Sequence, residues 1–94
     1  MAKDHVYVFC YDVEMQRARR RMSDILEKSG CRVQKSVFEV RCDQPRAEAI
    51  LRLLERERHP GDSIRMYCIP EDGRKRCASA GGAPPPEATE FWLL

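Results

Sequence analysis

One carboxylate closes the apolar stretch His5–Asp12, in which every residue from 6 to 11 is apolar. An aspartate here can cap the next helix by accepting backbone N–H bonds, or it can bind Mg²⁺, which prefers carboxylate oxygens. One aspartate is a weak metal site. In a two-fold dimer, however, Asp12 and its symmetry mate can share an ion that polarises a phosphodiester and activates a water molecule. The residues alone leave both roles open.

Arginines cluster directly after this carboxylate, at Arg17, Arg19, Arg20 and Arg21. Cations in the first turns of a helix oppose its dipole by roughly 0.3–1 kcal/mol each, so we expect another use for them. The planar guanidinium suits phosphate, and phosphate attraction does not depend on base sequence. A solvated helix face is the alternative, and we favour nucleic-acid contact. Further basic residues extend the same track: Arg32, Lys35, Arg41, Arg74, Lys75 and Arg76.

The other reactive side chains predict no second site. The five cysteines are odd in number and lack paired spacing, which favours reduced, mostly buried thiols in a reducing compartment and disfavours zinc. His5 and His59 have no cysteine or serine partner in a nucleophile arrangement. Tyr7, Phe9 and Tyr11 share one strand face, and we expect them in the core rather than on a base-stacking platform, which needs exposed aromatics on a neighbouring strand.

The elements that position these residues follow from periodicity. Alternation predicts a strand over His5–Asp12, and apolar residues at helical spacing predict a helix over residues 15–29, closed by Gly30. Residues 31–42 contain strand formers in broken alternation, which indicates either one kinked strand or two short strands with a bend or bulge near Ser36. A second helix begins with Pro45 in its first turn. A last strand covers residues 62–69.

The order strand, helix, one or two strands, helix, strand is the ferredoxin-like βαββαβ pattern of an α+β fold. Because crossovers are right-handed, both helices cover the same face of the sheet. The first strand is apolar on both faces, so the uncovered face predicts a two-fold homodimer. We assign residues 1–70 to this core.

Residues 71–94 differ in character. A turn over residues 70–73 precedes the basic triplet that begins at Arg74, and a Gly/Pro-rich linker spans residues 78–86. An extra C-terminal strand or tail then ends on four large apolar residues that we expect to dock on a partner: Phe91, Trp92, Leu93 and Leu94. We also expect no signal peptide, no membrane span and a cytoplasmic location.

Several of these stretches resemble the family of the small CRISPR-associated adaptation protein, which is also called the CRISPR-associated endoribonuclease. The resemblance rests on YDV at the end of the first strand, the arginine-rich first helix, RVQKSVFE beginning at Arg32, and DSIRMY beginning at Asp62. It covers roughly residues 6–69. RVQKSVFE is the specific part, and a lone tyrosine-aspartate pair after a strand is weak.

The resemblance implies a ferredoxin-like homodimer at the centre of a spacer-acquisition complex with the CRISPR integrase. It implies a duplex DNA prespacer as a partner, with single-stranded RNA as a further candidate, and Mg²⁺-dependent cleavage of RNA or DNA. Asp12 then maps to the metal ligand and catalytic residue. The family's C-terminal segment adds a strand across the dimer and reaches the integrase, and here it maps loosely to residues 74–94. The Gly/Pro linker and the FWLL end depart from that pattern.

Two other functions stay open from the sequence. A stand-alone metal-dependent endoribonuclease, or a toxin-like nuclease of similar fold, would use Asp12 for cutting as its whole function. A regulatory module for a small ligand is disfavoured by the arginine clusters.

Overall fold

The computed structural model describes residues 3–82, which form one sheet with the two long helices on one side. The elements in chain order are β1 (His5–Asp12), α1 (Gln16–Glu27), β2 (Cys31–Gln34), β3 (Val37–Cys42), α2 (Gln44–Glu55), β4 (Ser63–Ile69) and α3 (Glu71–Arg74). No helix in this part of the chain is long and apolar enough to cross a bilayer. The predicted α+β arrangement is confirmed.

The four strands lie in the order β2-β3-β1-β4, and each neighbouring pair is antiparallel. The expected first strand therefore lies inside the sheet, between β3 and β4. Its register places Phe9 opposite Phe38 on one side and Met66 on the other. This order is that of the ferredoxin-like fold.

The core lies between the sheet and the two long helices. Tyr7, Phe9 and Tyr11 are at most 6% exposed on the helix-covered face, which confirms the expectation of core aromatics. Side chains from both helices and from β3 complete this cluster: Ala18, Met22, Leu26, Phe38, Val40, Ala47, Ile50 and Leu54. Fully burying a large apolar side chain contributes about 1.5–3 kcal/mol, so this layer stabilises the fold.

Residues 31–42 form two short strands rather than one kinked strand. Lys35 and Ser36 make the turn between them. The register irregularity lies between Arg32 and Gln34, two residues before the position that the broken alternation indicated. The Ser36 carbonyl also accepts the Tyr11 N–H at 3.1 Å, so this turn is joined to the end of β1.

Two helix predictions need correction. The first helix is shorter than residues 15–29, because Met15 is its extended N-cap residue, is 48% exposed and does not belong to the buried stripe. The segment predicted as a turn over residues 70–73 instead starts a one-turn helix, α3. Its backbone bonds include Arg74 N–H to the Pro70 carbonyl at 2.8 Å. A Pro-Glu-Asp start suits a helix N-terminus.

Gly30 lies three residues beyond the end of α1 and lacks the left-handed backbone expected of a glycine stop. The glycines with positive φ in the described residues are Gly61, Gly81 and Gly82. A Cβ on Gly30 would lie 2.3 Å from the Glu39 carbonyl oxygen and 2.6 Å from a Val40 methyl carbon. The glycine therefore allows the end of α1 to pass close to β3.

The described residues include the start of the expected linker, and residues 78–82 contain no helix or strand. The predicted C-terminal strand or tail and the predicted docking residues Phe91, Trp92, Leu93 and Leu94 lie outside the described residues. The division of the chain near residue 70 stays a prediction.

Candidate nucleic-acid interface

Asp12 is the last residue of β1 and is exposed. By strand alternation it lies on the face that the helices do not cover, the same face as Val8 and Cys10. Its partner across the sheet is Ser63 on β4. The helix that follows is capped at Met15 without any side-chain hydrogen bond, so Asp12 is not the N-cap of α1. That finding removes the structural alternative considered for this carboxylate.

The turn that follows Asp12 is held from two sides. The Arg19 guanidinium donates to the carbonyls of Val13 and Glu14 at 2.9 and 2.6 Å. On the other side, the Asp62 carboxylate accepts the Glu14 N–H at 3.4 Å and the His59 N–H at 2.8 Å. These contacts fix the direction in which β1 ends, and with it the position of Asp12.

Asp62 was predicted only as the first residue of the last strand, and its anchoring role was missed. Its side chain is 6% exposed. The Pro60-Gly61 turn signal and an aspartate directly after it are typical of side chains that bond nearby backbone N–H groups. That pattern predicts the bond to His59. The contact with Glu14 spans 48 residues and has no local signal.

The described residues contain no preassembled cluster of metal ligands. Among residues 3–82, no group of three or more histidine, cysteine, aspartate or glutamate side chains converges on one point. Mg²⁺ is held by one or two carboxylates together with waters and substrate phosphates. Asp12 alone provides one such carboxylate, and a second would have to come from another copy or from a bound substrate.

The outer face of α1 is strongly basic. Arg17, Arg20 and Arg21 are all exposed, and the first turn contains no acidic residue. Arg21 forms an ion pair with Glu57 at 3.2 Å, whereas the structure assigns no side-chain bond to Arg17 or Arg20 within the described residues. The predicted grouping of these arginines on one helix face is therefore present.

Arg32 connects the β2–β3 hairpin to α1. Its guanidinium donates to the Lys35 carbonyl at 2.7 Å and to the Ser23 hydroxyl, and it lies 3.5 Å from a Glu27 oxygen. It also stands 4.9 Å from the centroid of the Phe38 ring, a cation–π distance. Any phosphate contact by Arg32 would be added to these intramolecular bonds.

The C-terminal basic triplet is divided by its surroundings. Arg74 is 9% exposed and donates through two nitrogens to the Glu71 carboxylate at 3.2 and 3.1 Å. The hydrogen bond from Arg74 lowers the pKa of Glu71. Lys75 and Arg76 are exposed, with Arg76 3.8 Å from Asp72. The triplet thus presents two exposed cations and one packed guanidinium.

The uncovered sheet face is mixed apolar and charged. Alternation and register place Val8, Cys10, Val37 and Tyr67 together on it, and Tyr67 is 51% exposed. Glu39 lies on the same face, opposite Val8, and burial raises the pKa of its carboxyl group. Val8, Cys10 and Val37 are half-buried, so this face combines partly accessible apolar side chains with a carboxylate.

The chain has clear relatives among known proteins. The family model described as "CRISPR associated protein Cas2" matches residues 5–77. The CRISPR-associated endoribonuclease Cas2 1 of Chloroflexus aurantiacus is 30% identical over 86 residues, which are 89% of this chain and 92% of that protein.

Three solved structures share the fold. A hypothetical protein from Thermus thermophilus has a TM-score of 0.76 at 28% identity and covers 88% of this chain and 99% of its own. Cas2 of Streptococcus pyogenes has a TM-score of 0.70 at 26% identity, covering 81% and 99%. A chain of a partial Cas6-RT-Cas1–Cas2 complex has a TM-score of 0.63 at 30% identity, covering 83% and 92%.

Proposed function

This chain belongs to the CRISPR-associated Cas2 family, and on that premise we propose that it acts in CRISPR spacer acquisition as the central nucleic-acid-binding dimer of a complex with a Cas1-type integrase. The basic face of α1 would contact the phosphates of a duplex DNA prespacer, with single-stranded RNA as a further candidate partner. The structural relative from a Cas1–Cas2 complex supports the integrase as a partner.

The basic face of α1 is the observation that carries this proposal. Arg17 and Arg20 extend from a helix whose first turn has no carboxylate to neutralise them. Cations at that end weaken the helix dipole interaction, so they are better explained by an anionic partner than by helix stability. Guanidinium contacts to phosphates hold a duplex without reading its bases. Such binding suits a protein that must accept prespacers of any sequence.

The dimer is the second part of the proposal. The helices cover one sheet face, and the other presents Val8, Cys10, Val37 and Tyr67. A second copy packed on this face would bury the apolar side of β1. A two-fold axis that passes close to Asp12, at the end of β1 on the same face, would bring the two Asp12 carboxylates towards each other.

Metal-dependent cleavage is the third part of the proposal, and it requires the dimer. The curated relative is named an endoribonuclease, and Asp12 is the carboxylate of this chain that corresponds to the expected catalytic position. Two Asp12 carboxylates together would meet the ligand requirement that one chain does not meet. We therefore propose a divalent metal, with Mg²⁺ as the candidate, only in the dimer.

A duplex-binding measurement tests whether the basic face of α1 contacts DNA. We expect the full chain to bind a fluorescent DNA duplex, and the double variant Arg17→Gln with Arg20→Gln to lose about tenfold or more in affinity for every duplex sequence. Fluorescence anisotropy over a range of salt concentrations measures both the affinity and the salt slope. The slope should become shallower by about one to two in the variant, because two phosphate contacts are removed.

Arg52→Gln is the matched control. It removes a positive charge from an exposed position on α2, away from the α1 face, and is expected to change the affinity by less than about twofold through net charge alone. If Arg52→Gln lost as much duplex affinity as Arg17→Gln or Arg20→Gln alone, an interface localised on α1 would be refuted. Loss confined to particular duplex sequences would refute a phosphate-reading role.

A further inference from the structure

A small cleft separates the outer face of α1 from the β2–β3 turn. It has a volume of about 290 Å³, and its basic lining comprises Arg19, Arg20, Arg32 and Lys35. Tyr11, Gln16, Ser23 and Ser36 also line it, and none of its lining residues is acidic. We call this the α1 cleft. Glu27, which lies 3.5 Å from Arg32, is outside this lining. Four cations in the lining without a carboxylate among them favour an anionic ligand.

The four cations differ in how they are held. Arg19 is fixed by the carbonyls of Val13 and Glu14, and Arg32 by the Lys35 carbonyl and the Ser23 hydroxyl. Within residues 3–82, no hydrogen bond or ion pair of the structure engages the side chains of Arg20 and Lys35. The fold therefore holds Arg19 and Arg32 in place, and Arg20 and Lys35 line the α1 cleft from different elements.

The α1 cleft is unsuited to a base. Tyr11 is the aromatic side chain that lines it, and the Tyr11 ring stacks on Phe38 with centroids 6.4 Å apart and planes at 18°. Only 6% of Tyr11 is exposed, so its ring face is occupied by the core. The volume is near the lower limit of about 300 Å³ for ligand pockets. A compact anion rather than a whole nucleotide matches this space.

We propose that the α1 cleft binds one phosphate group of a nucleic-acid strand, with Arg20 and Lys35 as its ligands. Arg19 and Arg32 form its fixed walls and contribute positive potential. The site deepens the proposed function, on which it rests, by assigning one phosphate to a defined position between α1 and the β2–β3 turn. The phosphate can be an internal phosphodiester or the terminal monoester of a strand, since both present the same oxygens.

Inorganic phosphate is the probe that tests the α1 cleft without nucleic acid. In ¹H–¹⁵N NMR titrations of the full chain at fixed ionic strength, phosphate should shift the amides of Arg20, Lys35 and Ser36 saturably. Arg20→Gln and Lys35→Gln should each raise the dissociation constant about tenfold, as expected when one of two charged ligands is lost. Arg52→Gln removes the same charge from α2 and should leave the constant within about twofold.

Two results would overturn the site: the absence of saturable shifts at these amides, or an equal loss of phosphate affinity in Arg52→Gln. The amide spectra of the variants report directly whether each remains folded. If the α1 cleft fails this test while Arg17→Gln with Arg20→Gln still weakens duplex binding, the cleft is wrong and the proposed function stands. If phosphate binds in the cleft but no duplex binds the chain, the proposed function fails.

Duplexes with and without a 5′-phosphate identify the source of the phosphate. If Lys35→Gln weakens binding of the 5′-phosphorylated duplex more than binding of the 5′-hydroxyl duplex, the site takes a strand terminus. If it weakens both equally, relative to Arg52→Gln, the site takes an internal phosphodiester. A Lys35→Gln variant that binds both duplexes as tightly as the unmodified chain contradicts the proposed phosphate ligand.

Discussion

Arginine side chains a few positions apart make different contacts in this fold. Arg17 and Arg20 are exposed on α1, whereas Arg19 bonds the turn after Asp12 and Arg32 joins the hairpin to α1. Charge placement along the sequence predicts the cluster but not this division. The partners of Arg19 are backbone carbonyls, which carry no sequence signal. Of the predicted site residues, Asp12 and the exposed arginines keep their predicted roles as proposals.

Arg74 makes a pH-dependent contact that can be tested directly. Its hydrogen bonds lower the pKa of Glu71 below the unfolded value, so the contact stabilises the fold above the unfolded pKa and loses this effect as pH falls through the folded pKa. Glu71→Gln should lower the melting temperature at pH 7. The difference from the unmodified chain should shrink between pH 7 and about pH 3, because protonation of Glu71 removes the charge that the Arg74 contact favours.

Asp72→Asn is the control for this prediction. Asp72 is also in the first turn of α3, but its ion pair with Arg76 is long and its side chain is 81% exposed. Exposed ion pairs of this kind contribute little to stability. Asp72→Asn should therefore change the melting temperature at pH 7 less than Glu71→Gln does. Thermal unfolding by circular dichroism at both pH values measures each difference. A Glu71→Gln effect that persists unchanged at low pH would contradict the ionic contact.

At the scale of elements, two adjacent leucines show how burial selects the core. Leu54 on α2 is fully buried, whereas Leu53 is 42% exposed. Leu54→Ala should reduce the free energy of unfolding by about 2–5 kcal/mol, because it leaves a cavity between α2 and the sheet. Leu53→Ala should change it by less than about 0.5 kcal/mol. Urea unfolding measures both, and equal losses would show that α2 packs differently.

Periodicity predicted most of these elements. The bounds of β1 are confirmed, because an apolar run closed by aspartate has few alternatives, and the Asp43-Gln44-Pro45 start of α2 carries its own capping signal. Asp43 caps that helix by accepting the Arg46 N–H at 2.9 Å. Residues 31–42 could not be resolved from sequence, because a register irregularity breaks alternation whether the strand is bent or divided. Gly30 was predicted directly after the first helix, but α1 ends at Glu27, and the close approach of Gly30 to β3 is a tertiary contact without a local signal.

At the scale of the whole molecule, the uncovered sheet face carries the dimer proposal. Tyr67→Arg removes the hydroxyl that accepts the Arg65 N–H and adds a second cation beside Arg65 on this face. We expect it to convert the dimer to a monomer at micromolar concentration, because adjacent like charges buried without a partner oppose association. Leu53→Arg is the matched control on the α2 surface and should leave the dimer intact. Light scattering coupled to size exclusion measures both masses. A monomeric unmodified chain would contradict the proposed dimer.

Insertion of a duplex prespacer into a CRISPR array by the integrase, with and without this chain, tests the central proposal most directly. We expect insertion to require the chain, to persist with Asp12→Asn, and to be lost with Arg17→Gln and Arg20→Gln together, because the dimer holds the duplex by its phosphates. Loss of insertion with Asp12→Asn in a chain that still binds duplex would make cleavage part of the function. Insertion that proceeds equally well when the chain is omitted would contradict the account.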